Sequence, residues 1–273
     1  MEQYKFEKFE NQPEERENAE KLKMFIEKMS QELVKEGLPV NKDCRLDIWQ
    51  FQDVYPAGDR KGDVRNDENY IKKQEKEFFY KNLSNEEIEE KKLMSAGEQF
   101  EKLKTAILYK FFKQDFIVVR ASRYDDIQNK VDNIIIEKET GNLVCAFDEV
   151  ADDRQARFTS KTAEIQERNI KFSGAQLKYG ISIENRKLTK KSFKNLPIFY
   201  LSLSSNVLKK GLKEFIPSFE KKSQYETDLF SKFLSEMDNQ IKELKLEPDL
   251  KPAFLNKLNQ YEEALKRFLK KII

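Results

Sequence analysis

The sequence predicts a mixed α/β protein, and three observations support this fold class. Short apolar runs over residues 116–119 and 143–150 have the length and composition of buried strands. A polar turn at 139–142 sits between two such runs, as in a hairpin. On both sides of this region, apolar residues recur at helical spacing among charged ones. At 273 residues the chain is long enough to bury a sizeable core.

The predicted core covers residues 95–204, and its elements follow in a defined order. A helix is expected over 95–113, then strands over 116–119, 131–137 and 143–150, a helix over 152–167, and strands over 173–184 and 196–204. The strand–helix–strand crossover should be right-handed. Residues 1–94 are predicted to be a helical N-terminal extension packed on the core, and 205–273 to be C-terminal helices.

Composition excludes several kinds of chemistry. The chain has no histidine, so Ser-His-Asp and Cys-His catalysis and histidine-ligated metals are excluded. Cys44 and Cys145 are too few for a zinc site and favour a reducing compartment over a disulfide scaffold. No apolar run is long enough to span a bilayer, and the polar N-terminus is unlike a signal peptide. We therefore expect a cytoplasmic protein without membrane association. The net charge of +2 indicates no global attraction to nucleic acid.

Two carboxylates stand at otherwise apolar places on neighbouring predicted strands. Asp132 begins one strand and Asp148 ends the next, at similar distances from the turn between them. The pairing of a hairpin therefore predicts that the two side chains lie close together. Neighbouring carboxylates repel each other unless a cation shares the site. Oxygen ligands of this kind suit Mg²⁺ or Mn²⁺, which activate water and neutralise phosphate.

The order of helix with a Glu, strand, hairpin with two acids, helix and strand resembles the PD-(D/E)XK nuclease superfamily over about 110 residues. The resemblance implies a restriction-endonuclease-like core with a mixed central sheet. It implies that Asp132 and Asp148 are catalytic metal ligands and that Glu101, or Glu98 one turn earlier, completes the metal shell. Glu149 is a further candidate ligand.

The chain departs from the family pattern at the lysine of the D/E-x-K element. Val150 occupies that place after Asp148, and Ala151 occupies it when Glu149 is taken as the acid. Some family members supply the lysine from the next helix, where Lys161 is the candidate. Its amine would orient or deprotonate the attacking water.

Basic and polar residues near the predicted site are candidates for nucleic-acid binding, with DNA favoured over RNA. The residues are Arg154 and Arg157 on the helix, Gln176 and Lys178 on a half-exposed strand, and Lys187 and Lys190 in a basic loop over 186–194.

Simpler interpretations remain open for each of these residues. Asp132 suits a turn or cap, Asp148 and Glu149 suit a helix cap, and Asp125 with Asp126 suits a turn. The alternative function is a catalytically inactive binding or assembly module, with the terminal helices as partner surfaces. A plain structural α/β protein would instead place Asp132 and Asp148 at opposite edges of the sheet.

Overall fold

The computed structural model describes residues 13–56, 58, 63–81, 83–151 and 155–272 and confirms a mixed α/β protein. The helices are Pro13–Lys35 (α1), Val64–Gln74 (α2), Asn85–Met94 (α3), Ala96–Phe112 (α4), Arg123–Asn129 (α5), Gln155–Lys171 (α6), Ser205–Glu214 (α7), Gln224–Lys245 (α8) and Pro252–Ile272 (α9). The strands are Phe116–Arg120 (β1), Asn133–Glu137 (β2), Leu143–Ala151 (β3), Ala175–Glu184 (β4), Lys187–Leu196 (β5) and Ile198–Leu203 (β6).

A four-stranded mixed sheet lies at the centre, in the order β1-β2-β3-β6. Strands β1, β2 and β3 form an antiparallel meander, and β6 adds to β3 in parallel after the crossover through α6. Every residue of β1 and β2 is buried, which explains why these strands are continuous apolar runs rather than alternating ones.

Helices cover both faces of this sheet, and β3 sends alternate side chains to each. Glu149 points to the face where α4 packs, because it contacts Lys104 of that helix. Asp148 points to the opposite face, where it contacts Lys161 of α6. Two acids adjacent in sequence therefore lie in different surroundings.

The predicted basic loop over 186–194 is wrong, because most of it is strand β5. Strands β4 and β5 form a separate two-stranded antiparallel sheet, with Glu184 opposite Lys187. The turn consists of Asn185 and Arg186, which both have positive φ (51° and 62°), as a two-residue hairpin turn requires. β5 is largely exposed and polar, so it lacks the apolar alternation that indicates a strand.

The pair Asp125 and Asp126 was expected to form a turn, with a second metal site or the orientation of Arg123 as alternatives. Both residues lie in the short helix α5, and Asp126 pairs with Arg123 at 2.6 Å. The Asp125 carboxylate accepts hydrogen bonds from the backbone N–H groups of Lys178 (2.8 Å) and Tyr179 (3.1 Å). It also accepts one from the Ser122 hydroxyl, at 2.6 Å. Asp125 thus fastens the β4–β5 hairpin to the core.

The flanking helices pack on the core through one continuous hydrophobic cluster. It includes Phe25 of α1, Ile134 of β2 and Phe233 of α8. Ser84 and Glu87 form the capping box that their spacing predicts at the start of α3. The first twelve residues of the predicted extension lie outside the described part. None of the described helices is long and apolar enough to span a bilayer.

Candidate metal centre

Three carboxylates from three different elements converge beside the central sheet. Glu101 comes from α4, Asp132 from the residue before β2, and Glu149 from β3. One oxygen of each lies within 4.8 Å of the corresponding oxygens of the other two. We refer to Glu101, Asp132 and Glu149 as the acidic triad.

Sheet register explains why Asp132 meets the end of β3. Asn133 lies opposite Phe147, so the next pair outward is Asp132 and Asp148. The Asp132 carboxylate then reaches one residue further and accepts a hydrogen bond from the Glu149 backbone N–H at 2.8 Å. This bond holds Asp132 against β3, and α4 crosses above it with Glu101.

Burial and mutual repulsion perturb the protonation of the acidic triad. Burial and then the nearby Asp132 charge raise the pKa of Glu149 well above its usual range. Burial also raises the pKa of Glu101 to about 7, against the opposing effect of two arginines. Burial acts to raise the pKa of Asp132. Its hydrogen bonds with Glu149 and the charge of Lys104 outweigh burial, so the pKa is lowered. In the absence of a cation, burial and charge repulsion therefore favour the protonated forms of Glu101 and Glu149.

Lys104 is the residue that sequence reasoning missed. It is fully buried on α4, one turn after Glu101, and its ammonium forms an ion pair with Glu149. The three-residue spacing from Glu101 placed both side chains on one helix face, and this was the available signal. The signal was not sufficient, because α4 carries other lysines that cannot be told apart from Lys104 by sequence alone.

Asp148, which was predicted to be a metal ligand, does not belong to the acidic triad. The Asp148 carboxylate contacts the Lys161 ammonium at 2.7 Å, and the Arg168 guanidinium lies 3.9 Å away. Burial and then the charge of Asp132 raise the pKa of Asp148 to about 7. The prediction failed because register alone does not tell which of two successive strand residues faces a helix with a third acid.

Two buried arginines, Arg45 and Arg120, donate hydrogen bonds to Glu101. The Glu101 carboxylate accepts a hydrogen bond from Arg45 at 2.6 Å and two from Arg120. Glu98, the predicted substitute, pairs with Arg120 at 2.8 Å. Although burial opposes it, the arginine charges keep the pKa of Glu98 well below its usual range. Glu98 therefore only balances the charge of the arginines, whereas Glu101 both contacts the arginines and belongs to the acidic triad.

The lysine of the family pattern has no equivalent on β3. Val150 is buried in the hydrophobic core, and Ala151 follows Glu149 at the second candidate place. Lys104 and Lys161 reach Glu149 and Asp148 instead, each from a helix. A lysine charge is thus present beside each acid of β3, on opposite faces of the sheet.

Two of the predicted nucleic-acid contacts, Lys178 and Lys190, already have partners within the protein. Lys178 is not available as expected, because its ammonium pairs with Asp67 and lies over the rings of tyrosines in the core. Lys190 is also occupied: it donates to the Gln50 carbonyl and to Asp53, both at 2.6 Å, and so docks β5 on the preceding segment.

The other predicted contacts give no positive support. Gln176 and Lys187 are exposed on the hairpin, where solvent reaches their side chains. Arg154 and the side chain of Arg157 lie outside the described part of the chain.

No protein-family model matches the chain, and no curated protein or solved structure matches it either. The interpretation of the site therefore depends on its own geometry and charges.

Proposed function

We propose that this protein is a metal-dependent nuclease-like enzyme that hydrolyses phosphodiester bonds, with DNA as the favoured substrate. The observation that carries the proposal is the acidic triad, in which the buried Asp132 and the half-buried Glu101 and Glu149 come from three separate parts of the chain and offer oxygens within 4.8 Å of one another. Such a group is unfavourable by itself and becomes favourable when a cation neutralises it.

The donor set fits Mg²⁺ or Mn²⁺. All three side chains offer carboxylate oxygens, the ligand type that these hard cations prefer. Metal–oxygen bonds of about 2.0–2.6 Å place two ligands of one ion at most roughly 4–5 Å apart. Small side-chain movements therefore suffice for Glu101, Asp132 and Glu149 to share an ion. When bound, the ion would polarise a phosphate and lower the pKa of a water ligand.

The order of the elements supports a restriction-endonuclease-like core. Helix α4, the β1-β2-β3 meander, helix α6 and the parallel strand β6 come in the order that the family resemblance implies, with α5 inserted after β1 and the β4–β5 hairpin inserted before β6. The acids fall on the helix, the start of the second strand and the end of the third. In this proposal Glu149, rather than Asp148, is the acid of the D/E-x-K element on β3.

The two lysines beside β3 have different parts in this proposal. Lys104 is fully buried and neutralises Glu149, so its part is to hold the acidic triad together. The Lys161 side chain is 20% exposed and therefore within reach of water. Because Lys161 pairs with Asp148 on the opposite face of β3, we assign it a structural part and not the orientation of the attacking water.

A cleavage assay tests this proposal. Purified protein with Mn²⁺ or Mg²⁺ should cut single- or double-stranded DNA, and a chelator should stop the reaction. The variants Asp132→Asn and Glu149→Gln should lose cleavage, whereas Glu139→Gln, at an exposed acid on the β2–β3 turn, should retain it. Cleavage that survives in Glu149→Gln, or that is insensitive to the chelator, would refute the assignment.

A second candidate function is a catalytically inactive relative that binds nucleic acid or a protein partner. Two observations favour it: β3 lacks a lysine at the family place, and Arg45 with Arg120 already neutralises Glu101. The terminal helices α1 and α9 would then be the surfaces for a protein partner. This candidate predicts no cleavage with any divalent cation and no measurable binding of Mn²⁺ to the folded protein.

A further inference from the structure

A small cavity lies beside Arg45 and Arg120, the two arginines that donate hydrogen bonds to Glu101. It has a volume of about 160 Å³, which is room for several waters at about 30 Å³ each. Helices α1, α3 and α4 and the segment before the Ile48–Phe51 turn contribute to its lining. Of its thirteen lining residues, seven are lysine or arginine and four are aspartate or glutamate, so positive charge is in excess.

The acids that line the cavity are already neutralised. Glu98 pairs with Arg120 at 2.8 Å and Glu75 with Arg123 at 2.8 Å. Glu89 lies 3.7 Å from Lys92, and Asp43 lies 3.7 Å from Lys102. Lys23 and Lys42 also line the cavity, and neither has an acidic partner in the part of the chain that the structure describes.

A buried donor at this cavity lacks a partner. Arg120 is 0% exposed and lines the cavity, yet its Nη1 atom forms no hydrogen bond with any described residue. A buried guanidinium N–H without an acceptor is costly, and a small movement of the Arg120 side chain toward the cavity would let an anion there supply that acceptor. Burial and then the Arg120 charge lower the pKa of Lys102 on the same wall, which also indicates crowded positive charge.

We propose that this cavity binds a phosphate group and that, under the proposed function, the group is the terminal phosphate of a nucleic-acid strand. Glu101 connects the two places: it accepts hydrogen bonds from Arg45 and Arg120 on one side and belongs to the acidic triad on the other. A strand end held by its phosphate in the cavity would present a nearby phosphodiester to the triad. The protein would then act from strand ends.

Calorimetric titration with inorganic phosphate, in the presence of a chelator, tests the cavity without any metal or cleavage. The wild-type protein should bind phosphate, and Lys23→Gln should weaken binding about tenfold because one charged donor is lost. The matched control is Lys28→Gln, an exposed lysine on the same helix that does not line the cavity. It changes the net charge equally and should leave the affinity unchanged. Arg120→Lys should also weaken binding, and Lys23→Gln decides the outcome if Arg120→Lys does not fold.

Equal phosphate affinity in Lys23→Gln and Lys28→Gln, or no binding by the wild-type protein, overturns the phosphate site. A second arm identifies the source of the phosphate by fluorescence anisotropy with short oligonucleotides, again under chelation. Strands with a terminal phosphate should bind about tenfold more tightly than unphosphorylated strands, and Lys23→Gln should remove that difference. Equal affinity for both strands, together with binding of inorganic phosphate, would refute the strand-end assignment.

The failure of this inference is distinguishable from the failure of the proposed function. Metal-dependent cleavage without a Lys23 effect on phosphate binding would refute the cavity alone. Phosphate binding without cleavage in Mn²⁺ or Mg²⁺ would refute the enzyme alone.

Discussion

The two faces of strand β3 carry adjacent acids with different surroundings. On the α4 face, Glu149 lies beside two further carboxylates and one fully buried lysine. On the α6 face, Asp148 lies beside Lys161 and Arg168, and the acidic triad does not include it. The α4 face therefore brings together three carboxylate oxygens that can share a divalent cation, whereas the α6 face has a single acid that contacts two basic side chains.

This difference shows that a sequence motif and a site are different things. Either Asp148 or Glu149 can be taken as the acid of the D/E-x-K element. Neither choice puts a lysine at the third position, where Val150 or Ala151 stands. What separates the acids is the helix that each one faces, because alternate strand residues point to opposite sides. The site depends on α4, which lies far from β3 in sequence.

The largest expected effect is on metal affinity. Glu149→Gln removes a proposed ligand without changing the size of the side chain, so we expect the affinity for Mn²⁺ to fall at least about 100-fold. Loss of a residue that only hydrogen-bonds to a metal ligand typically costs about 10–100-fold. Asp148→Asn should weaken binding by no more than about tenfold. Isothermal titration calorimetry with MnCl₂ measures both. Equal losses in the two variants would show that the faces do not differ as described.

The two lysines should differ in their contribution to stability in the absence of metal. Lys104→Gln leaves a buried acid without its cation, and we expect the free energy of unfolding to fall by about 3 kcal/mol. Lys161→Gln acts at a partly exposed pair and should cost about 1 kcal/mol. Urea unfolding with a chelator present checks this. A larger loss in Lys161→Gln than in Lys104→Gln would contradict the contrast.

A smaller effect is expected from pH in the metal-free protein. The pKa of Asp148 is raised to about 7, whereas an unfolded Asp titrates near about 3.9. The folded state therefore retains a proton that the unfolded chain has lost, and stability falls as pH rises from about 4 to about 7. The slope is at most about 1.4 kcal/mol per pH unit for one proton.

The variants should separate the two acids in the same experiment. Asp148→Asn should flatten the stability profile below about pH 7. Glu149→Gln should also flatten it above the pH at which an unfolded Glu titrates, about 4.3, because burial raises the pKa of Glu149 in the folded protein. Urea midpoints between about pH 5 and about pH 8 give the comparison. Profiles that match the wild type in both variants would show that these acids ionise normally.

The sequence predicted the features that depend on local pattern. Buried strands, the hairpin register that pairs Asp132 with Asp148, and the capping box at Ser84 all follow from spacing and residue type. The central α/β class follows from them. Strand β5 was missed because an exposed polar hairpin has no apolar period to detect.

The chemistry of the site depends on contacts between residues distant in sequence. Arg45 lies in an irregular segment, and nothing near it in sequence indicates its hydrogen bond to Glu101. Lys104 resembles the other lysines of its helix until the packing of α4 on β3 buries it against Glu149. Sequence analysis therefore found the acids and one partner, Lys161, but not Arg45 or Lys104.

Anomalous X-ray diffraction from crystals soaked in MnCl₂ tests the central claim most directly. We predict one peak among the carboxylates of Glu101, Asp132 and Glu149, and its loss in crystals of Glu149→Gln. A peak bound to Asp148 on the α6 face, or no peak while Lys104 keeps its contact with Glu149, would contradict the account.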